Sequence, residues 1–248
     1  MEELRELGEE SWYHQLQLRY WENTNAEWDP SEMYNGIGEI YLQSGYFENP
    51  SKAIKCFEKA IKISTSGDMN AVPNTKAMMN LGNYYNYYMD EKDKARKYYE
   101  EAIKYEDPNG YYGLSSLDIY YDDYQSAKEH LELGYQMASR LEKKDIELVF
   151  LFSLGNLNKN QIGDYALAVY YYEKYIDLAN DEEIDNEYIS ALSELGDMYE
   201  HGQGVDMDID KALEYYEKAL LLMDDYYKGP NKDDVIDDLK NSVERLKQ

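Results

Sequence analysis

The chain has 248 residues, with 51 aspartates and glutamates against 25 lysines and arginines, a formal charge of −26 and one cysteine. That balance disfavours nucleic acid as a direct ligand, since phosphate neutralisation needs clustered cations, and a single cysteine excludes an internal disulfide. No run of 18 apolar residues occurs, and the opening MEELRELGEE is acidic where a secretory leader is basic and then apolar; neither a membrane span nor a signal is expected, and the expected location is a reducing cytoplasm.

Over residues 2–22, Leu4, Leu7, Trp12, Leu16 and Leu18 fall near helical spacing, which predicts an N-terminal capping helix within residues 1–30. A pattern of small and large residues then repeats five times over residues 31–228. A first-helix glycine recurs as Gly38, Gly82, Gly113, Gly155 and Gly196, each followed by a second-helix alanine: Ala53, Ala95, Ala127, Ala168 and Ala212. Four residues past each alanine stands Phe57, Tyr99, Leu131, Tyr172 or Tyr216. Seven past it stands Ala60, Ala102, Gly134, Tyr175 or Ala219, so only the fourth copy breaks the small-residue rule. Spacings of four and seven put these side chains on one helical face. All five prolines (Pro30, Pro50, Pro73, Pro108 and Pro230) fall where a helix should begin, and Asp29, Asn49 and Asp107 precede three of them as N-cap candidates. Val235, Ile236, Leu239, Val243 and Leu246 predict a final helix over 231–246, a C-terminal cap assigned to 229–248. No Pro/Gly/Ser-rich linker interrupts the chain, so one continuous elongated domain is expected.

The fifth copy is the most complete: Leu195-Gly196-x-x-Tyr199, Gly202-x-Gly204-Val205, then Lys211-Ala212-x-x-Tyr215-Tyr216-x-Lys218-Ala219. It resembles the tetratricopeptide superfamily, specifically its Sel-like repeat branch. The first copy keeps Gly38, Tyr41, Gly45, Lys52, Ala53, Phe57 and Ala60, and the second keeps Leu81, Gly82, Tyr85, Lys94, Ala95 and Tyr99. In the third and fourth, Leu117 and Asn158 replace the first-helix tyrosine. The resemblance implies an all-α fold, a right-handed α-solenoid of about five helix-turn-helix repeats with capping helices at both ends. It further implies a non-catalytic adaptor or scaffold that binds a protein or peptide on its concave face, with no cofactor.

On that resemblance, residues three before, one after and five after each anchor glycine line the concave face. They are Asn35, Glu39 and Gln43; Met79, Asn83 and Tyr87; Gly110, Leu114 and Asp118; Phe152, Asn156 and Asn160; Ser193, Asp197 and His201. Asparagine recurs there, and an amide bonds a peptide backbone through both donor and acceptor. A carboxylate clamp of the kind some tetratricopeptide domains carry is not matched. Met79 stands where the clamp lysine would precede Asn83, with Lys76 and Lys159 the nearby cations. Glu39, Asp118 and Asp197 instead imply a partner with basic character.

Charge is unevenly placed: residues 1–50 hold eleven acids and two bases, 51–180 twenty and sixteen, 181–248 twenty and seven. Acidity at both ends fits solubility. It also fits an alternative function, an inhibitor (immunity protein, antitoxin or phage anti-defence protein) that occludes a basic, nucleic-acid-binding target. Of the 29 tyrosines, Tyr84, Tyr87, Tyr88, Tyr111, Tyr112, Tyr120, Tyr121 and Tyr124 exceed what the repeat demands. Wedging between helices is expected of most, with an interface role as the alternative; Tyr111 joins the partner-binding candidates.

Other signals carry less. Cys56 beside Phe57 reads as a small apolar residue. Asp206, Asp208, Asp210 and Glu217 imitate a calcium loop, but Lys211 stands where that loop needs glycine, so a helix-capping turn is expected. Carboxylate pairs such as Asp122-Asp123 and Asp233-Asp234 follow from composition. His14, His130 and His201 are scattered, and only His201, one turn after Asp197, has ligand-like spacing. An enzyme is not expected.

Overall fold

The computed structural model describes residues 29–42, 49–66, 72–179, 184–228 and 231–247. The expected N-terminal helix over 2–22, Gln43, Gly45 and Pro230 lie outside those residues. Among the described residues there are eleven α-helices and no strand, so the all-α expectation holds. They are α1 (Pro30–Leu42), α2 (Pro50–Thr65), α3 (Thr75–Tyr87), α4 (Lys92–Lys104), α5 (Asn109–Tyr120) and α6 (Tyr124–Arg140), followed by α7 (Lys144–Leu157), α8 (Tyr165–Ala179), α9 (Asn186–His201), α10 (Ile209–Tyr226) and α11 (Lys232–Leu246). A π-helical turn, Asn158–Ile162, extends α7. No described helix is long and apolar enough to cross a membrane.

The chain divides into two compact units, residues 1–113 and 114–248, with the boundary inside α5. In the first, α1 packs on α2, α2 on α3 and α3 on α4, and α1 also touches α3. In the second, each helix from α6 to α10 packs on its successor. The helix expected over 231–246 is α11, which packs on α10 and buries Leu239 and Val243.

Close approach of paired helices explains the small residues. A Cβ built on Gly38 would stand closer than 3.0 Å to the Phe57 ring; the same holds for Gly82 with Tyr99, Gly155 with Tyr172, and Gly196 with Tyr216. All five anchor alanines are fully buried. The third copy departs from the predicted pairing. Gly113 meets Tyr99, the aromatic residue of the preceding copy, so that ring lies between Gly82 and Gly113. Gly134 meets Phe150 of α7, and Leu131 fills the core without covering a glycine. Tyr175, which breaks the small-residue rule, is buried and donates its hydroxyl to Asp185 Oδ1 at 3.1 Å. Asp185 in turn caps α9 by accepting from Tyr188 N at 2.8 Å.

Side-chain caps start most helices, each stabilising its helix by about 1 kcal/mol. Asn49, Asn74, Asp123, Asp164 and Asp208 each accept a backbone N–H three residues on. Asp29 and Asp107 accept two residues on, from Ser31 and Asn109. Helix ends turn through left-handed residues. Gly163, Gly202 and Gly204 serve in the later copies, and Asp90, Glu106, Asp122 and Glu142 in the earlier ones. The acidic residues substitute for the glycines that the resemblance leads one to expect. Asp208 opens α10, and Lys211, Glu214 and Glu217 are all helical, so the calcium-like run is a helix start.

Candidate partner-binding surfaces

In the first unit, α1, α3 and the start of α5 enclose an open groove of about 270 Å³, lined by Glu39, Lys76, Met79, Asn80, Asp107, Asn109 and Tyr112. Its floor is a web of amides that ties α1 to α3. Asn80 Nδ2 donates to Asn35 Oδ1 at 2.9 Å and to Glu39 Oε1 at 3.0 Å, and Asn35 Nδ2 donates to the same Glu39 oxygen at 2.9 Å. Asn74 extends the web towards the helix start: its Nδ2 donates to Ser31 Oγ at 3.3 Å, while its backbone N–H reaches Ser64 Oγ at 2.9 Å. At the far side Asp107 Oδ1 accepts from both the backbone N–H and Nδ2 of Asn109. The groove thus offers a carboxylate, an ammonium and amides around the Met79 thioether and the Tyr112 ring. That mixture suits an extended chain with alternating polar groups and side chains.

Of the predicted partner-binding residues, Glu39 and Met79 come together in this groove. Asn35 lies beneath it and is 3% exposed, so its amide braces helices and is not at hand for a partner. Asn83 and Asn156 are half-buried, and each has its Oδ1 occupied: Tyr99 OH donates to the first at 2.8 Å and Tyr172 OH to the second at 2.7 Å. Tyr216 makes the equivalent bond to Glu200 at 3.1 Å, and all three pairs lie sixteen residues apart. Burial pushes the Tyr99, Tyr172 and Tyr216 hydroxyls well above their ordinary pKa. They therefore stay protonated and act as donors.

In the second unit, Leu114 and Asp118 are buried, at 3% and 2% exposure. Asp118 Oδ2 lies 2.6 Å from His130 Nδ1, so this carboxylate is engaged internally and is not displayed to a basic ligand. Phe152 is half-buried, packed on the rings of Tyr172 and Tyr175. Asn160 stands exposed on the π-helical turn. Asp197 belongs to a charged chain in which Lys159 is bonded to Glu194 and lies 3.8 Å from Asp197, whose Oδ1 is 3.2 Å from His201 Nδ1.

The surplus tyrosines correct the expectation of core filling. Tyr84 alone of the eight is buried, and Tyr111 and Tyr124 are half-buried. Tyr87, Tyr88 and Tyr120 are each at least 60% exposed, with Tyr112 and Tyr121 also on the surface. Tyr87 and Tyr120 end α3 and α5, and Tyr88 and Tyr121 stand just before the left-handed turn residues Asp90 and Asp122. Cys56 is fully buried, and desolvation pushes its thiol up to about 11.

A model of the Sel1 repeat matches residues 152–180 and 189–222, and a model of the tetratricopeptide repeat matches residues 31–66 and 75–109. The third copy falls between the matched segments. No curated protein matches the chain. Among solved structures, the chain is similar to c5321, a protective antigen of uropathogenic Escherichia coli with an SLR fold (TM-score 0.55, 18% identity, 87% of this chain and 44% of that one). It is similar also to a Sel1 repeat protein from Oxalobacter formigenes (TM-score 0.51, 18% identity, 88% and 85%). A third likeness is to a chain of the APC/C hetero-tetramer Cut9-Hcn1 (TM-score 0.56, 17% identity, 98% and 43%). This chain spans less than half the length of the first and third of these. At such identities the likeness is one of fold.

Proposed function

We propose that this chain, a tetratricopeptide- and Sel1-repeat protein, is a non-catalytic scaffold that holds a protein or peptide partner in the groove between α1, α3 and α5. Proteins of these repeats generally mediate protein–protein interaction, and one of the similar folds comes from a hetero-tetramer, Cut9-Hcn1. The observation that carries the proposal is the groove lining. Glu39, Lys76 and Asn109 present charge and amide groups at the rim, while Met79 and Tyr112 supply apolar contact. An extended peptide finds both hydrogen-bond partners and a place for side chains in such a cleft. The chain carries 51 acids against 25 bases, which favours a partner with basic character and an association quickened by long-range attraction.

The test compares the wild-type chain with Lys76→Glu/Met79→Ala. Both sites lie on the solvent side of α3 and leave the Asn35–Asn80–Glu39 web intact. Proteins retained by the immobilised wild type are identified by mass spectrometry, and the purified partner is then titrated against both chains. The expected result is a loss of affinity of about tenfold or more with unchanged helicity and melting. Equal affinity for the two chains sinks the groove as the site.

A further inference from the structure

At the turn from α5 to α6, three consecutive large side chains stand in solvent: Ile119, Tyr120 and Tyr121. The rings of Tyr120 and Tyr121 meet edge to face, with centroids 5.0 Å apart and an interplanar angle of 87°. Two exposed aspartates follow at once. Asp122 turns the chain at φ +59° and accepts a hydrogen bond from Tyr124 OH at 2.6 Å; Asp123 caps α6. The surface therefore joins aromatic faces to two negative charges within five residues.

Elsewhere the protein shows what that combination holds. Lys94 Nζ sits 4.9 Å over the Tyr85 ring and 2.5 Å from Glu91. Lys211 Nζ sits 4.5 Å over the Tyr199 ring, whose hydroxyl is bonded to Glu173. Lys174 lies 4.4 Å over Tyr135, and Lys59 lies 4.6 Å over Tyr34. An ammonium over a tyrosine face is a contact this chain builds repeatedly, and at Lys94 and Lys211 a carboxylate stands in reach as well, so that ring quadrupole and anion act together on the cation. Among the described residues no lysine or arginine lies over Tyr120.

We propose that the α5–α6 turn docks a lysine- or arginine-bearing segment of a partner protein. The cation lies over the Tyr120 ring and turns its head towards Asp122 and Asp123, and its methylene stem rests on Ile119. Charge complementarity selects this occupant, because the patch is anionic as well as apolar. The inference rests on the reading of the chain as a protein-binding one, but uses residues outside the groove.

The full-length chain is titrated by calorimetry with the peptide acetyl-Gly-Arg-Gly-Arg-Gly-Arg-Gly-amide at near-physiological salt, and with its citrulline counterpart, which keeps the shape and drops the charge. The wild type is expected to bind the arginine peptide. Tyr120→Ala/Tyr121→Ala should bind it roughly fivefold or more weakly, and Tyr120→Phe/Tyr121→Phe should retain it, since the ring face is kept. Asp122→Asn should weaken it, whereas Asp233→Asn/Asp234→Asn, which removes more charge on α11, should not. No binding by the wild type, equal binding by the double alanine variant, or equal binding of the citrulline peptide overturns the proposal. So does a loss as large in the α11 variant, which would mark general acidity. A concentration-dependent dimer abolished by the double alanine change would overturn it in favour of a second copy of this chain. Tyr120→Ala/Tyr121→Ala leaves every residue of the groove lining in place, so a loss of peptide binding in this variant reports on the turn, and failure here and failure of the groove are read separately.

Discussion

Tyr99 OH donates to Asn83 Oδ1 at 2.8 Å, and the same ring fills the space over Gly82 and Gly113. One side chain thus touches α3 and α5 from α4, and Asn83 accepts from its buried hydroxyl, with the Asn86 amide also close by. Asn83→Ala should cost about 1–3 kcal/mol of stability through the loss of that acceptor. A double-mutant cycle with Tyr99→Phe, followed by urea unfolding, checks this: the pair should cost clearly less than the sum of the singles. Additive losses would show that the bond contributes nothing. A loss of partner binding in Asn83→Ala therefore reports on folding before it reports on contact, and the same holds for Asn156 under Tyr172.

Gly82→Ala puts a methyl group closer than 3.0 Å to the Tyr99 ring, which is fully buried and also lies against Gly113. Overpacking of this kind costs about 1–3 kcal/mol. Gly163 has nothing within 4 Å of an added Cβ, so an alanine there bears only the strain of φ +79°. Thermal melts of the two variants should place Gly82→Ala lower. The reverse order would mean that Tyr99 shifts without cost.

Cys56 is fully buried, and desolvation raises its thiol from 9.0 to about 11. Between those values the unfolded chain loses a proton that the folded chain keeps. The folded state binds more protons there, so stability falls as pH rises from about 9 to about 11, by about 3 kcal/mol in all. Below pH 9 the group contributes no pH dependence. Cys56→Ala should fall less steeply than the wild type between pH 8 and pH 10.5, measured by urea unfolding of both chains; the raised tyrosine hydroxyls supply the part of the fall that the two share. In native protein at pH 8, iodoacetamide should leave the thiol unmodified.

The repeat framework was legible because its demands fall on residue size at fixed spacing: a glycine where a ring must lie, an alanine where helices touch. Gly38, Gly155 and Gly196 pair as the spacing predicts. Gly113 and Gly134 do not, because their rings come from neighbouring copies, and a pattern read within one copy cannot assign a partner across hairpins. The groove was legible only at Glu39 and Met79. Lys76 and Asn80 stand six and two residues before Gly82, outside the positions the resemblance marks, yet Lys76 lies one turn before both Met79 and Asn80 and so shares their helical face. Asn35 and Asp118 are buried for one reason. A polar side chain on a predicted surface can as readily satisfy a neighbour, here Asn80 and His130.

The turns between helices hold the remaining reserve of stability. Glu106 and Glu142 sit at φ +57° and +56°, where a β-carbon is crowded. Glycine takes that conformation without strain but loses more chain entropy on folding. The strain term is the larger of the two, so Glu106→Gly/Glu142→Gly should gain about 1 kcal/mol, read as a rise in melting temperature. Gly204 is the opposite case. Its φ is +75°, and a Cβ there would lie 2.5 Å from Ala166 N, so the turn after α9 presses directly on the start of α8. Gly204→Ala meets both penalties, and its loss should exceed that of Gly163→Ala by about 1 kcal/mol or more. Equal losses at the two glycines would show that only backbone strain matters, and that the turn does not brace α8.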